Sequence, residues 1–254
     1  MCEGCGCTVT PMDAEDGRRR VLGQLLDANN RAADHNRDHF NSRHVAVFNL
    51  MSSPGAGKTA LLEATIDGIK ADFRVAVIEG DLETDNDARR IRARGVPAAQ
   101  ISTGSACHLD ARMIHTALHE LVLSQLDIVF IENVGNLVCP ASFDLGQHRN
   151  VVLLSVTEGD DKPAKYPVMF RAADIVLLTK MDLAPVMEDF DPMRAERAVR
   201  NLANGAPVIP LSARKAVNLA PWLAWLRGEV ASIRQGTAPG PQEALRGRHL
   251  RAMA

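Results

Sequence analysis

An α/β fold, with a mostly parallel seven-stranded sheet flanked by helices, is predicted from three observations. Short apolar, β-prone runs alternate with helical patterns along most of the chain, at 45–51, 74–79, 98–102, 127–132, 151–156, 174–179 and 207–211. The first of these runs leads directly into Ser52-Ser53-Pro54-Gly55-Ala56-Gly57-Lys58-Thr59 and then into a helical stretch over 60–66. Polar residues that suit ligand chemistry stand at or just beyond the ends of other runs: Asp81, Glu132, Thr179 to Asp182, and Ser212. Ligands bind at that edge of a parallel sheet.

The segment 52–59 has the arrangement G-x-x-x-x-G-K-[ST], with Ser52 in place of the first glycine. Strand, glycine-rich turn and helix opening on Lys-Thr form the context of a phosphate-binding loop, and hence of a P-loop NTPase. Backbone N–H groups of Ser53, Gly55, Ala56 and Gly57 can converge on phosphate oxygens, and the helix N-terminus adds partial positive charge. Lys58 is expected to reach the β/γ-phosphates and Thr59 to place its hydroxyl on Mg²⁺.

At 254 residues and 46% hydrophobic, the chain is long enough for one α/β domain with appendages. Net charge is −2, with both signs mixed, and one Tyr and two Trp leave little for base stacking, so nucleic-acid binding is not expected. No apolar run approaches the ~18 residues of a membrane span. The polar, Cys-rich start is unlike a signal peptide, and a cytoplasmic protein is expected.

Three domain segments are read: a Cys-rich motif and linker at 1–17, a main domain at 18–235 opening on an amphipathic helix, and a mobile tail at 236–254. Cys2, Cys5 and Cys7 are spaced C-x-x-C-x-C among small residues, so their sulfurs can converge on one ion. Thiolates suit zinc, copper(I) and square-planar nickel(II). From Arg18 to Phe40, apolar residues recur at helical spacing. His35 and His39, four apart there, could share a helix face as ligands; with His44 nearby in a polar stretch, solvated side chains are the reading adopted.

Asp81 follows the second strand and is a candidate for the Mg²⁺ shell or for activating water; its alternative role is to cap the next helix. Cys107 and His108 lie at a strand-to-helix turn before a helix over 111–123. Glu132-x-x-Gly135 matches the arrangement of a γ-phosphate sensor, and Cys139 follows it. If Cys107, His108 and Cys139 share an ion, two facing chains would complete its coordination and the metal would be coupled to the sensing loop. Thr179-Lys180-Met181-Asp182 fits guanine: Asp182 accepts from N1–H and the 2-amino group, and the Lys180 stem covers the base. Ser212 and Ala213 fit a backbone contact to the guanine oxygen. Trp222 and Trp225 read as core packing.

Together these residues resemble the nickel-inserting GTPases of hydrogenase maturation, the HypB family, over 45–227 and the terminal Cys motif. The most specific segments are 80–85, Cys107 to Ala111, Glu132 to Pro140 and Phe143 to Gly146. The resemblance implies a P-loop fold of the signal-recognition and MinD-like (SIMIBI) class and a homodimer promoted by GTP or metal. It implies a nickel site at Cys2, Cys5 and Cys7, and a nickel or zinc site at Cys107, His108 and Cys139. It also implies slow hydrolysis of GTP to GDP with Mg²⁺ on Thr59 and Asp81, and Lys58, Asp81 and Glu132 as catalytic residues. Expected partners are a zinc-binding protein of the HypA type and a hydrogenase large-subunit precursor. Gln147 stands where many relatives carry an acid, and no long His-rich tract is present, so nickel delivery is expected without storage. Alternatives are a related GTPase serving urease or a cobalamin enzyme, and a non-catalytic metal store or sensor.

Overall fold

The computed structural model describes residues 11–81, 85–202 and 204–237. Cys2, Cys5 and Cys7, residues Leu82, Glu83 and Thr84, and the tail from residue 238 lie outside the described residues.

The elements run α1 (Pro11–Asn41), β1 (Ala46–Met51), α2 (Lys58–Ile69), β2 (Val75–Asp81), α3 (Asn86–Arg92), β3 (Ala98–Ser102) and α4 (Ala111–Leu118). They continue with β4 (Ile128–Glu132), β5 (Arg149–Ser155), α5 (Lys162–Lys165), α6 (Pro167–Ala172), β6 (Ile175–Thr179), α7 (Pro192–Arg200), β7 (Val208–Pro210) and α8 (Leu219–Arg234). The seven strands form one sheet in the order β3-β2-β4-β1-β5-β6-β7. Every pairing in it is parallel. β1 therefore sits centrally, and the loop that follows it is flanked by the carboxyl ends of β4 and β5.

Strand alternation divides the core. Phe48 and Leu50 of β1 face α2 and α8, where Trp222 and Leu226 are buried against Leu62 and Ile66. The Trp222 indole donates to the Thr65 hydroxyl at 2.8 Å, which satisfies the one polar group it brings inside. On the opposite face, Val47, Ala76 and Ile131 pack with Phe40 of α1 and Ile114 and Leu118 of α4. Farther along that face, Met51, Val152 and Leu154 meet Phe170 of α6 and Val199 of α7.

Two boundaries differ from expectation. Residues 11–17, read as linker, are helical and run into α1: the helix begins seven residues before Arg18. At the other end, α4 stops at Leu118, because His119 and Glu120 turn to i−3 carbonyls and tighten the chain. No helix among the described residues is long and apolar enough to cross a membrane.

Candidate functional site

A cleft of about 680 Å³ opens at the carboxyl edge of the sheet. It is lined by Gly55 to Thr59 after β1, Glu79 and Asp81 of β2, Glu132 of β4 with Gly135 beyond it, Thr179 at the end of β6 with Lys180 and Asp182 beyond it, and Ser212 and Ala213 after β7. Five strand ends thus converge on one volume.

The loop after β1 depends on two glycines in left-handed conformation, Gly55 at φ 73° and Gly57 at φ 98°. Residues with a Cβ reach that region only with strain. Lys58 is buried and donates to the Ser52 hydroxyl at 3.1 Å. Ser52 in turn donates to the Ser53 carbonyl at 2.7 Å, so the departure from glycine at position 52 supplies a holder for the lysine. Ser53 keeps a buried hydroxyl without a partner among the described residues. The Thr59 hydroxyl donates to Glu132 at 3.0 Å.

Register adds a residue that the local sequence does not flag. β2 and β4 pair so that Glu79 stands directly opposite Glu132. Burial pushes both carboxyls up, and for Glu79 the adjacent Glu132 adds to the rise, to about 12. Glu79 therefore keeps its proton and donates to Glu132, and the nearby Lys58 works against the rise in both carboxyls. One oxygen of each carboxyl is buried without a hydrogen-bond partner among the described residues, a donor set that fits a hard cation and its waters. Asp81 lines the same cleft at the end of β2. It does not cap α3, whose N-cap is Asp85.

The loop after β4 lies directly against the phosphate loop. A Cβ on Gly135 would fall 2.8 Å from Cα and 2.9 Å from N of Pro54. Across the cleft, Thr179 is buried and donates to the Ala56 carbonyl at 2.7 Å. Lys180 adopts φ 57°, and Asp182 accepts from the Ser212 hydroxyl at 2.6 Å, which joins the loops after β6 and β7.

Beside this cleft, Cys107, His108 and Cys139 bring one donor atom each within 4.8 Å of one another. The two sulfurs are 3.0 Å apart and both cysteines are free thiols. The hydrogen bond with Cys107, then burial, pushes the Cys139 thiol up. Burial holds the His108 imidazole below its ordinary value, and its ring stacks on Phe143 at 3.8 Å. Two soft sulfurs and a neutral imidazole suit zinc or nickel. Asn136 joins this cluster to the phosphate loop: its N–H donates to the Ser52 carbonyl at 2.8 Å and its side-chain amide to the Cys107 carbonyl at 3.2 Å. Asn133 adds a second link, accepting from the N–H of Leu109 at 3.2 Å and donating to Asn49 of β1 at 3.2 Å. Gln147 is also buried and donates to Asn150 at 3.0 Å, a bond that an ionised acid at this position could not make.

The fold and this cleft define a P-loop nucleotide-binding protein with a GTPase fold. A family model described as the CobW/HypB/UreG nucleotide-binding domain matches residues 46–210. The hydrogenase maturation factor HypB of Escherichia coli K12 is 52% identical over 212 residues, covering 82% of this chain and 73% of that protein. The crystal structure of HypB from Helicobacter pylori in complex with nickel superposes with a TM-score of 0.77 at 41% identity, over 84% of this chain and 98% of that one. The 54 kDa protein of the signal recognition particle from Aeropyrum pernix, in complex with GDP, shares the fold at a TM-score of 0.50 and 12% identity, over 76% and 49% of the two chains. The chain belongs to the HypB family.

Proposed function

We propose that this chain hydrolyses GTP and uses the cycle to deliver nickel during maturation of [NiFe]-hydrogenase. The observation that carries the reading is Asn136, which holds the phosphate loop through Ser52 and the thiol–imidazole cluster through Cys107 at once. A change in the phosphate loop is thereby transmitted to the donor geometry at Cys107, His108 and Cys139, where nickel is the cargo.

In this reading the phosphate-loop amides and Lys58 hold the β/γ-phosphates, and Thr59 and Asp81 hold Mg²⁺, which supplies charge neutralisation at the phosphates. Glu132, with Asp81, orders the attacking water. Thr179, Lys180, Asp182, Ser212 and Ala213 take the guanine. Intrinsic turnover is slow, since no arginine finger is evident in the sequence and such a group contributes about 10³–10⁵ in rate. Cys2, Cys5 and Cys7 form the first nickel site, and residues 1–17, 18–235 and 236–254 act as metal motif with linker, GTPase domain and tail. The interior cluster offers three protein donors and is half-exposed, so a second copy of the chain completes its coordination, with nickel or zinc bound. Partners are a zinc-binding protein of the HypA type and the hydrogenase precursor, in the cytoplasm. Each of these assignments extends the names of the relatives to this chain by the chemistry of its residues.

The test is hydrogenase activity in a host deleted for its own nickel GTPase, expressing wild type, Asn136→Ala, or Cys107→Ser with Cys139→Ser. Wild type restores activity at low nickel; Cys107→Ser with Cys139→Ser does not. Asn136→Ala retains GTP hydrolysis but restores less activity. Failure of soluble, GTP-active wild type at both low and high nickel, with the host's partner proteins replaced by cognate ones, overturns the hydrogenase reading and favours urease or a cobalamin enzyme as the target.

A further inference from the structure

A second cluster of ligating groups lies on the helical layer, apart from the cleft. Helix α1 presents His35 and His39 one turn apart, and α4, packed against it, presents His115, with His119 at its C-cap at the same spacing. The rings of His35 and His39 are 4.5 Å apart between centroids, and His115 lies 5.1 Å from the first and 5.8 Å from the second. One ring nitrogen from each of these three lies within 4.8 Å of the others.

We propose that His35, His39 and His115 form a separate, all-imidazole site for a divalent first-row transition-metal ion. Nε2 of His35 and Nε2 of His39 face each other at 3.0 Å. Two nitrogens on a tetrahedral ion with 2.0–2.1 Å bonds stand about 3.3 Å apart, so the pair needs little adjustment. The third ligand is oriented by a buried support. Asn36 donates its amide N–H groups to the carbonyls of Ala111 and Leu145 at 2.8 and 3.2 Å, which fixes its oxygen toward His115 Nδ1 at 3.2 Å. His115 must then donate from Nδ1, leaving the lone pair on Nε2 for a metal.

The setting favours a cation in two further ways. His39 lies in the last turn of α1 and His115 in the last turn of α4, where the carbonyl ends of both helices carry partial negative charge. A shallow cavity of about 300 Å³, bordered by His39, His115 and His119, leaves room for a water or for His119 as fourth ligand. Arg43 approaches His39 at Nδ1, 3.4 Å away, on the ring edge opposite the proposed metal-binding nitrogen.

The site is independent of the nickel-delivery reading, because Cys107 and His108 precede α4 whereas His115 stands in its last turn. An ion here would clamp α1 to the helix that follows Cys107 and His108 in the chain.

The test is Zn²⁺ titration against a chromophoric chelator, on full-length protein with Cys2, Cys5, Cys7, Cys107 and Cys139 changed to Ser and His108 to Ala. This background binds one Zn²⁺ per chain; adding His39→Gln weakens it at least tenfold, and adding His115→Gln as well abolishes it. Wild-type protein gives the second readout by NMR. Once the thiol sites are filled, the next equivalent of Zn²⁺ moves the ring signals of His35, His39 and His115 together and leaves those of His44 and His148 in place. Absence of Zn²⁺ binding in a folded background, binding undiminished by the His substitutions, or wild-type ring signals that stay still overturns the site.

Discussion

The hydroxyl of Thr179 donates to the carbonyl of Ala56 at 2.7 Å, tying the loop after β6 to the phosphate loop after β1. Thr179, in the loop proposed to take the guanine, thus holds two edges of the cleft in one geometry. Thr179→Val keeps the shape and removes the donor, leaving a buried carbonyl unpaired at a cost of roughly 1–3 kcal/mol. Binding of a fluorescent GDP analogue is expected to weaken about 5- to 100-fold if most of that cost falls on the bound state, and Thr179→Ser to restore it.

Gly135 and Pro54 approach so closely that a methyl group has nowhere to go. Gly135→Ala must push the loop after β4 off the phosphate loop, since the nearest atoms it meets are backbone. The expected result is a stability loss of roughly 1–3 kcal/mol by thermal unfolding and GTP turnover reduced at least tenfold.

Glu79 and Glu132 make the folded protein take up a proton. In the unfolded chain Glu79 ionises near its ordinary value of 4.5, whereas in the fold it stays protonated to about 12. The folded state binds more protons across that window, so this pair lowers stability as pH rises through neutrality. Glu79→Gln keeps a hydrogen-bond donor toward Glu132 without the ionisation penalty. Nucleotide-free Glu79→Gln protein is expected to be more stable than wild type at pH 8 by roughly 1–3 kcal/mol, with the difference shrinking toward pH 5.

His148 has the opposite dependence. It accepts from the N–H of Val47 at 3.0 Å through Nδ1, lies 2.9 Å from the Asn41 side-chain oxygen through Nε2, and burial with Arg37 and Arg149 nearby lowers its pKa to about 4 from 6.5. The unfolded chain binds the extra proton between those values, so stability falls as pH drops from 6.5 toward 4, by up to roughly 3 kcal/mol. Denaturant unfolding of wild type and His148→Gln across that range checks it: the variant is expected to show a shallower acid limb.

What sequence alone determined is the succession of seven strands, the phosphate loop at 52–59 and the candidate base-binding loop at 179–182, because each is encoded in contiguous residues whose spacing states its own geometry; the short helices α5, α6 and α7 were not legible in it. It also brought Cys107, His108 and Cys139 under suspicion as one donor set. Tertiary structure decided what depends on register and on helix packing. Glu79 matters because β2 pairs with β4 one particular way, and a one-residue slip would turn it to the other face of the sheet. Asn136 matters because its loop touches two others at once. The histidines of α1 read as solvated in isolation; an i, i+4 pair there and another spanning the end of α4 were the available signal. Only the packing of α1 on α4, residues far apart in the chain, makes one cluster of them.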